Sequence, residues 1–225
     1  MGNPGKLIEK KLAIIFSATL YVALSCNVAW ASEAKVSMGR TEAKIAMGKS
    51  TVLTQSYVWY DGDREQQVWL NPQIVAEFNP GAQGVSAMKH ANAGARVVAT
   101  KHQQASIRLW QLDSAAETAV SSLRSSHPQG KYSAVLHDGP SSGGRMRALP
   151  GNVIVYLNPQ WQQEEVSNWL NTRKLAIVKK LEIGTNIYVI KSGPGLEALT
   201  TANTLYQSGE VLAAFPDWWQ EVATR

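Results

Sequence analysis

Cysteine is nearly absent from this chain of 225 residues, which has only Cys26. Cys26 lies in an N-terminal segment that we expect to be removed, so the mature chain would have no disulfide bond, zinc–thiolate site or cysteine nucleophile. The chain also has no G-x-S-x-G, H-E-x-x-H, P-loop or Rossmann glycine pattern. The histidines lack the spacing of metal ligands, at positions His90, His102, His127 and His137. The sequence therefore predicts a protein that is not an enzyme and has no catalytic residue, metal or cofactor.

A large excess of charge of one sign is also missing. The formal net charge is +5 at pH 7, and about +3 remains once residues 1–31, with their three Lys and one Glu, are removed. Basic residues occur in short pairs such as Arg173-Lys174 and Lys179-Lys180, which suit solvated helix ends and loops. Because a polyanion needs a stronger basic patch, we expect no nucleic-acid partner.

The first thirty-one residues have the three parts of an export signal. Three lysines form a positive region, residues 12–24 are apolar and uncharged, and Ala29-Trp30-Ala31 is a small-x-small cleavage site. The apolar run is shorter than the ~20 residues of a transmembrane helix. We therefore expect cleavage after Ala31, a periplasmic or secreted protein, and no stable membrane anchor. A lipoprotein signal ending at Cys26 is the alternative.

Internal repetition indicates two copies of one small domain. Residues 68–73 (VWLNPQ) return at 155–160 (VYLNPQ), and weaker matches follow with a period of roughly 80 residues. The hydrophobic pattern of each copy predicts strand, helix, strand, strand, helix, strand. This order is the ferredoxin-like α+β arrangement, a four-stranded antiparallel sheet with two helices on one face. The predicted fold is therefore two tandem ferredoxin-like domains.

The composition divides the mature chain into four parts after the signal peptide. Residues 32–54 read as a flexible linker, because they contain a polar nine-residue tandem repeat (EAKVSMGRT, EAKIAMGKS). A degenerate first domain follows at 55–140, a turn-rich linker at 141–151, and a second domain with a C-terminal tail at 152–225. Within the first domain, we expect a strand at 66–70 to stop at Asn71-Pro72. Asp61-Gly62-Asp63 is interpreted as a turn, with a calcium site as the alternative.

The second domain resembles the N-terminal propeptides of subtilisin-like serine proteases, which act as intramolecular chaperones and inhibitors. The matching segments, over about 75 residues, include a first strand, a helix, an inner strand and a closing segment at 153–157 (VIVYL), 164–170 (EEVSNWL), 188–190 (YVI) and 209–217 (GEVLAAFPD). The first domain shares the pattern, with an irregular insertion near 79–84. We expect no protease domain to follow, and the chain then resembles the freestanding external chaperones made beside some secreted subtilases.

The resemblance implies a partner and a mode of binding. The partner would be a secreted subtilisin-like serine protease, contacted by the open face of the sheet and by the C-terminal tail in the substrate cleft. An extended tail can add main-chain hydrogen bonds as an extra strand, and tryptophans often anchor interfaces. The partner-binding residues would then be Trp218, Trp219, Gln220, Glu221, Val222, Ala223, Thr224 and Arg225. The alternative is that both tryptophans only close the core of the second domain, which does not exclude binding by the last six residues.

The sequence is also compatible with a second function. The chain could be an envelope module that binds a peptide, a glycan or another envelope protein through an aromatic surface formed by Trp59, Trp69, Trp110 and Trp161. A catalytic interpretation is weaker. His137-Asp138 lies near Ser141-Ser142, but a turn-rich linker is a poor platform for a triad, and we interpret the cluster as chance.

Overall fold

A computed structural model describes residues 50–98 and 106–221. The predicted signal peptide, Cys26, the linker up to residue 49 and the tail residues 222–225 lie outside these ranges. All described residues belong to one compact unit. The chain is α+β, as expected, with four helices and antiparallel sheets in the described ranges. No helix among these residues is long and apolar enough to cross a membrane.

The described chain has two halves, each containing two helices. The first half consists of β1 Ser56–Asp61, β2 Arg64–Phe78, α1 Ala82–Ala91, β3 Arg96–Val97, β4 Ile107–Gln111, α2 Ala116–Ser126, β5 Lys131–His137 and β6 Met146–Ala148. The second half consists of β7 Val153–Tyr156, α3 Gln163–Thr172, β8 Ile177–Lys180, β9 Ile187–Ile190, α4 Leu196–Gln207 and β10 Ala213–Pro216. A last strand, β11 Trp219–Gln220, follows the second half.

The sheet of the second half has the strand order β10-β7-β9-β8, and every neighbouring pair is antiparallel. Alternate residues of β7 point to opposite faces, so Val153 and Val155 are buried against the helices while Ile154 and Tyr156 are only partly buried. Helix α3 begins with a capping contact in which the Gln162 backbone N–H donates to Glu165 Oε2 at 2.7 Å. The helices therefore cover one face of this sheet.

The sheet of the first half contains the order β5-β2-β4-β3, again antiparallel throughout. Three further strands extend it: β6 and then β11 lie beyond β5, and β1 forms a hairpin with the first part of β2. Helices α1 and α2 pack on one face, where Met88 and Leu123 are fully buried beside Val75. The strands that flank the two helices thus have the same spatial order in both halves.

Strand β2 does not stop at Asn71-Pro72, so the predicted end of this strand is wrong. It continues to Phe78 through an irregularity in its pairing with β5 between Leu70 and Val75. Asn71 is buried there, where its Oδ1 accepts a hydrogen bond from the backbone N–H of Gln73 at 3.0 Å. The proline therefore sits in a local bulge of a continuous strand, the setting in which a sheet tolerates it.

Because of the same irregularity, the segments that match in sequence are not the segments that are equivalent in structure. Val75–Phe78 of β2 and Val153–Tyr156 of β7 hold the equivalent central place, because each segment pairs with both neighbours of its sheet. By this register Asn158-Pro159 corresponds to positions 80–81, so the nearest Asn-Pro pair is Asn79-Pro80, one residue earlier, which also links a strand to a helix. The VWLNPQ and VYLNPQ segments match in sequence but occupy different positions in the two sheets.

The two halves pack against each other through β1 and α4. The side chain of Asn203 donates a hydrogen bond to the carbonyl oxygen of Val58 at 2.8 Å. The rings of Tyr60 and Tyr206 stack with centroids 4.5 Å apart. Leu199 of α4 is buried in the core of the first half. These contacts make the hairpin of β1 and β2 a bridge between the two cores.

Two short segments complete the first half. The turn between β1 and β2 is a two-residue loop in which Gly62 has φ of 64° and Arg64 pairs with Asp61 at 2.9 Å, which confirms the turn interpretation. Residues 50–54, at the end of the predicted linker, pair with the turn before β6. The backbone N–H of Leu53 donates to Pro140 O at 2.9 Å, and Leu53 is buried.

Candidate functional site

The tail that follows the second half returns to the sheet of the first half. Trp219 and Gln220 form β11, whose register partners in β6 are Ala148 and Arg147. The pairing continues one residue further, where the backbone N–H of Glu221 donates to Met146 O at 3.0 Å. The predicted partner-binding segment is therefore partly occupied by contacts within the chain.

Trp218 and Trp219 lie on opposite faces of this sheet, as neighbouring residues of an extended segment do. Trp218 packs on the helix side against the core of the first half. Trp219 packs on the other side, in the apolar cluster that contains Leu109 and Val135. The alternative in which both tryptophans close the core of the second half is thus wrong.

Trp218 belongs to a cluster of four side chains that holds the tail. We call this set, Trp59, Asp138, Arg147 and Trp218, the tail-anchoring cluster. The two indole rings meet edge to face with centroids 5.4 Å apart. The Arg147 guanidinium lies 5.6 Å from the Trp59 ring and 5.5 Å from the Trp218 ring. Asp138 orients the guanidinium through a two-point ion pair with Arg147. Cation–π and edge-to-face contacts of this kind stabilise the tail on the first half.

The other predicted site residues are divided between solvent and the undescribed part of the chain. Gln220 is exposed, and Glu221 is half-buried. Val222, Ala223, Thr224 and Arg225 lie outside the described residues. The structure thus anchors the first part of the predicted segment and leaves the role of its last four residues as a prediction.

The open face of the second sheet carries aromatic and aliphatic side chains. Tyr156 of β7 and Phe215 of β10 are partly exposed, with ring centroids 5.7 Å apart, and Ile154 of β7 is the register partner of Phe215. Strand β8 at the sheet edge is exposed along its whole length, including Ile177 and Val178. A face of partly exposed rings beside an accessible edge is a surface that a protein partner can cover.

A buried charged cluster in the first half was missed by the sequence analysis. Glu77 is only 2% exposed, and its Oε2 accepts hydrogen bonds from Trp110 Nε1 at 2.9 Å and from Arg108 Nη1 at 3.3 Å. The only sequence signal is a carboxylate inside an otherwise apolar strand segment, residues 74–78 (IVAEF). The strand register places Arg108 directly opposite Glu77 and Trp110 two residues further along β4, and both donors satisfy the carboxylate.

A tyrosine and a histidine extend this Glu77 cluster. Tyr132 of β5 is the register partner of Glu77, and its hydroxyl lies 2.8 Å from His127 Nδ1. Burial, and secondarily the negative charge of Glu77, raises the pKa of Tyr132 to about 12, against a smaller opposing effect of Arg108. The phenol therefore stays protonated at neutral pH and can donate to the imidazole.

The side chains considered as a catalytic triad, His137, Asp138 and Ser141, are engaged by other partners and do not form one. His137 is fully buried; its Nδ1 donates to Gly144 O at 2.9 Å, and its Nε2 accepts from Asn71 Nδ2 at 3.1 Å. Asp138 is engaged by Arg147, and Ser141 is bonded to Ser50. His137 thus supports the bulge of β2 rather than a serine.

The aromatic surface considered for an envelope module is not continuous. Trp110 is 1% exposed and belongs to the core, whereas Trp59, Trp69 and Trp161 are partly buried. Among the described residues there is no group of three or more His, Cys, Asp or Glu side chains that could hold a metal ion. Comparison of the chain with protein-family models, curated proteins and solved structures finds no match.

Proposed function

We propose that the chain is an exported chaperone or inhibitor of a secreted subtilisin-like serine protease, built from two ferredoxin-like domains. The observation that carries the proposal is the shared strand order, β5-β2-β4-β3 in one sheet and β10-β7-β9-β8 in the other, with two helices on one face of each. This order agrees with the fold implied by the resemblance of the second half to protease propeptides. Export follows from the signal-like N-terminus.

The open face of the second sheet is the proposed docking surface. Tyr156 and Phe215 offer two adjacent, partly exposed rings, and Ile154, the register partner of Phe215, adds apolar area beside them. Aromatic anchors surrounded by polar residues supply most of the free energy in typical protein interfaces. A preformed face would favour the native arrangement of the protease, whose long-range parallel strand pairing is slow to form.

The tail acts in this proposal as an anchored extension. The tail-anchoring cluster and β11 fix residues 218–221 on the first half. Residues 222–225 can span at most ~14 Å when extended, which is the reach the proposal gives them from the anchored base. Because their base is rigid, they would lose less conformational entropy on binding than a wholly free tail.

The test measures the effect of the folded mature chain on a secreted subtilisin, as inhibition of peptide cleavage and as the yield of refolded protease. Tyr156→Thr with Phe215→Thr removes both rings and keeps strand-compatible residues. Ile183→Thr is the matched control, since Ile183 is 74% exposed in the turn before β9. We expect the double variant to lose at least tenfold in inhibition or yield and the control to keep both. A third variant lacking residues 222–225 measures the tail.

Two results would count against the proposal. In one, the unaltered chain changes neither protease activity nor refolding yield. In the other, the double variant acts as well as the Ile183→Thr control. If the tail deletion has no effect while the double variant does, the docking face is supported and the role of residues 222–225 is rejected.

A further inference from the structure

A cavity of about 360 Å³ opens at one end of the first half, between the β2–α1 turn and the α2–β5 turn. Its volume lies within the ~300–1,000 Å³ range of small-molecule sites. The lining residues include six whose side chains carry hydrogen-bond donors or acceptors, namely Glu77, Asn79, Gln83, His127, Gln129 and Lys131. Neither the fold nor the proposed protease contact uses this cavity.

The buried carboxylate of Glu77 contributes to the wall of the cavity. Its Oε2 is engaged by Arg108 and Trp110, and its Oε1 lies against α1 at Gly84. A methyl group at Gly84 would overlap Oε1, so glycine is required for the carboxylate to reach this position. Gly130 has a similar role, because a methyl group there would collide with Tyr132 and His127.

The second half shows that the fold does not need these polar groups. By strand register, the positions of Glu77, Arg108, Trp110 and Tyr132 correspond to Val155, Tyr188, Ile190 and Ala214. Those four residues form an ordinary part of the second core. Buried ion pairs often stabilise a fold no better than apolar residues of the same volume do. The polar group in the first half is therefore better explained by recognition of a ligand.

The charges of the cavity select against charged ligands. A cation that approached Glu77 would also meet Arg108, which already balances the carboxylate at 3.3 Å, and the exposed Lys131. An anion that approached Lys131 would meet the buried carboxylate. Neutral hydroxyl groups can both donate to Glu77 and accept from Lys131 and from the amides of Gln83 and Gln129. The lining thus fits a neutral ligand with several hydroxyls.

We propose that this cavity binds one neutral sugar residue of a glycan. The inference goes beyond the proposed protease partner and does not depend on it. The imidazole of His127 supplies a flat surface, and the surrounding amides supply directional hydrogen bonds. A hydrogen-bonding pocket of this kind discriminates strongly, because an absent hydroxyl leaves its partners unpaired.

The test uses the folded mature chain and two sets of probes in saturation-transfer NMR. The neutral probes are glucose, galactose, mannose and N-acetylglucosamine, and the charged probes are glucosamine and glucuronate. Gln83→Ala with Gln129→Ala removes two exposed rim amides, and Gln160→Ala is the matched control at an exposed position of the second half. We expect at least one neutral probe to bind, at least tenfold weakening in the double variant, and no change in the control.

Three outcomes would overturn the assignment. In the first, no neutral probe binds at about 20 mM, a concentration well above the Kd of a weak ~1 mM site. In the second, a charged probe binds more tightly than every neutral one, and in the third, the double variant binds as tightly as the control does. A circular-dichroism melt of each variant shows that it remains folded. Glu77→Gln provides a second measurement, since it keeps the shape of the side chain but removes the charge, and it too should weaken sugar binding.

Discussion

Replacement of Trp218 by alanine tests whether the tail-anchoring cluster holds β11 in place. The half-buried indole removes about 100 Å² of apolar surface from water, worth about 2.5 kcal/mol. Its edge-to-face contact with Trp59 and its cation–π contact with Arg147 add about 1 kcal/mol each. Against these stands the indole Nε1, which is buried without an acceptor in the described structure and costs about 1–3 kcal/mol. We expect a net loss of about 3 kcal/mol in the free energy of unfolding.

Trp218→Phe is the matched variant, because it keeps an aromatic ring and removes the unpartnered N–H. The smaller phenyl ring packs less well, which lowers stability, but removal of the buried N–H also removes its desolvation penalty. The two effects offset each other. The free energy of unfolding should therefore change by less than about 1 kcal/mol. Urea denaturation of both variants measures the two effects at constant m-value.

Hydrogen exchange at Glu221 provides the local readout, since its backbone N–H donates to Met146 O across the β11–β6 pair. This amide should exchange faster in Trp218→Ala than in the unaltered chain and remain protected in Trp218→Phe. The reasoning is refuted if Trp218→Ala costs less than about 0.5 kcal/mol and leaves the exchange of Glu221 unchanged. In that case the tail would be held by main-chain pairing alone.

Three further predictions test buried polar groups. Glu77→Ala leaves the Arg108 charge without its partner and should lower the free energy of unfolding, measured by urea denaturation, by about 3 kcal/mol. Adding Arg108→Met should recover most of this loss. Equal stability of the single and double variants would contradict the prediction. His137→Leu leaves the buried amide of Asn71 without its acceptor and should cost about 2 kcal/mol, so a neutral result would exclude the bulge-supporting role. The folded pKa of Tyr132 is about 12, above the unfolded value near 10, so its contribution is complete below pH 10 and is lost as pH rises toward 12. Tyr132→Phe should therefore show a smaller fall in unfolding free energy between pH 10 and 12, and an unchanged slope would refute the shift.

Local patterns predicted most of the elements, because their signals lie within a few residues. The apolar spacing within 196–207 and 162–173 predicts two helices, and α4 occupies Leu196–Gln207 and α3 occupies Gln163–Thr172. Residues 210–214 read as a closing edge strand, and the strand lies at the sheet edge but at Ala213–Pro216, so the pattern predicts its edge position better than its bounds. Apolar periodicity and turn residues are enough for such segments.

Long-range contacts produced the differences. Asn71-Pro72 reads as a strand end, but a buried hydrogen bond to His137 keeps the strand continuous around the bulge. The pairing of β11 with β6 joins Trp219 to Ala148, 71 positions apart by their numbers, and the ion pair of Glu77 with Arg108 joins residues 31 positions apart. No local pattern encodes either contact. The sequence echo near Asn71 similarly gave the wrong structural register because both Asn-Pro pairs of the first half follow apolar residues.

The pairing of Ala148 with Trp219 places the entry and the exit of the second half side by side. Adjacent strands lie about 4.8 Å apart, so residues 149–218 form an excursion whose two ends almost touch. A segment whose two ends lie close together can be inserted into another domain, and the inserted segment can be exchanged as a unit. A two-residue turn could join β6 directly to β11 and yield a shortened chain. In that chain, polar replacements would be needed where α4 now covers the first core.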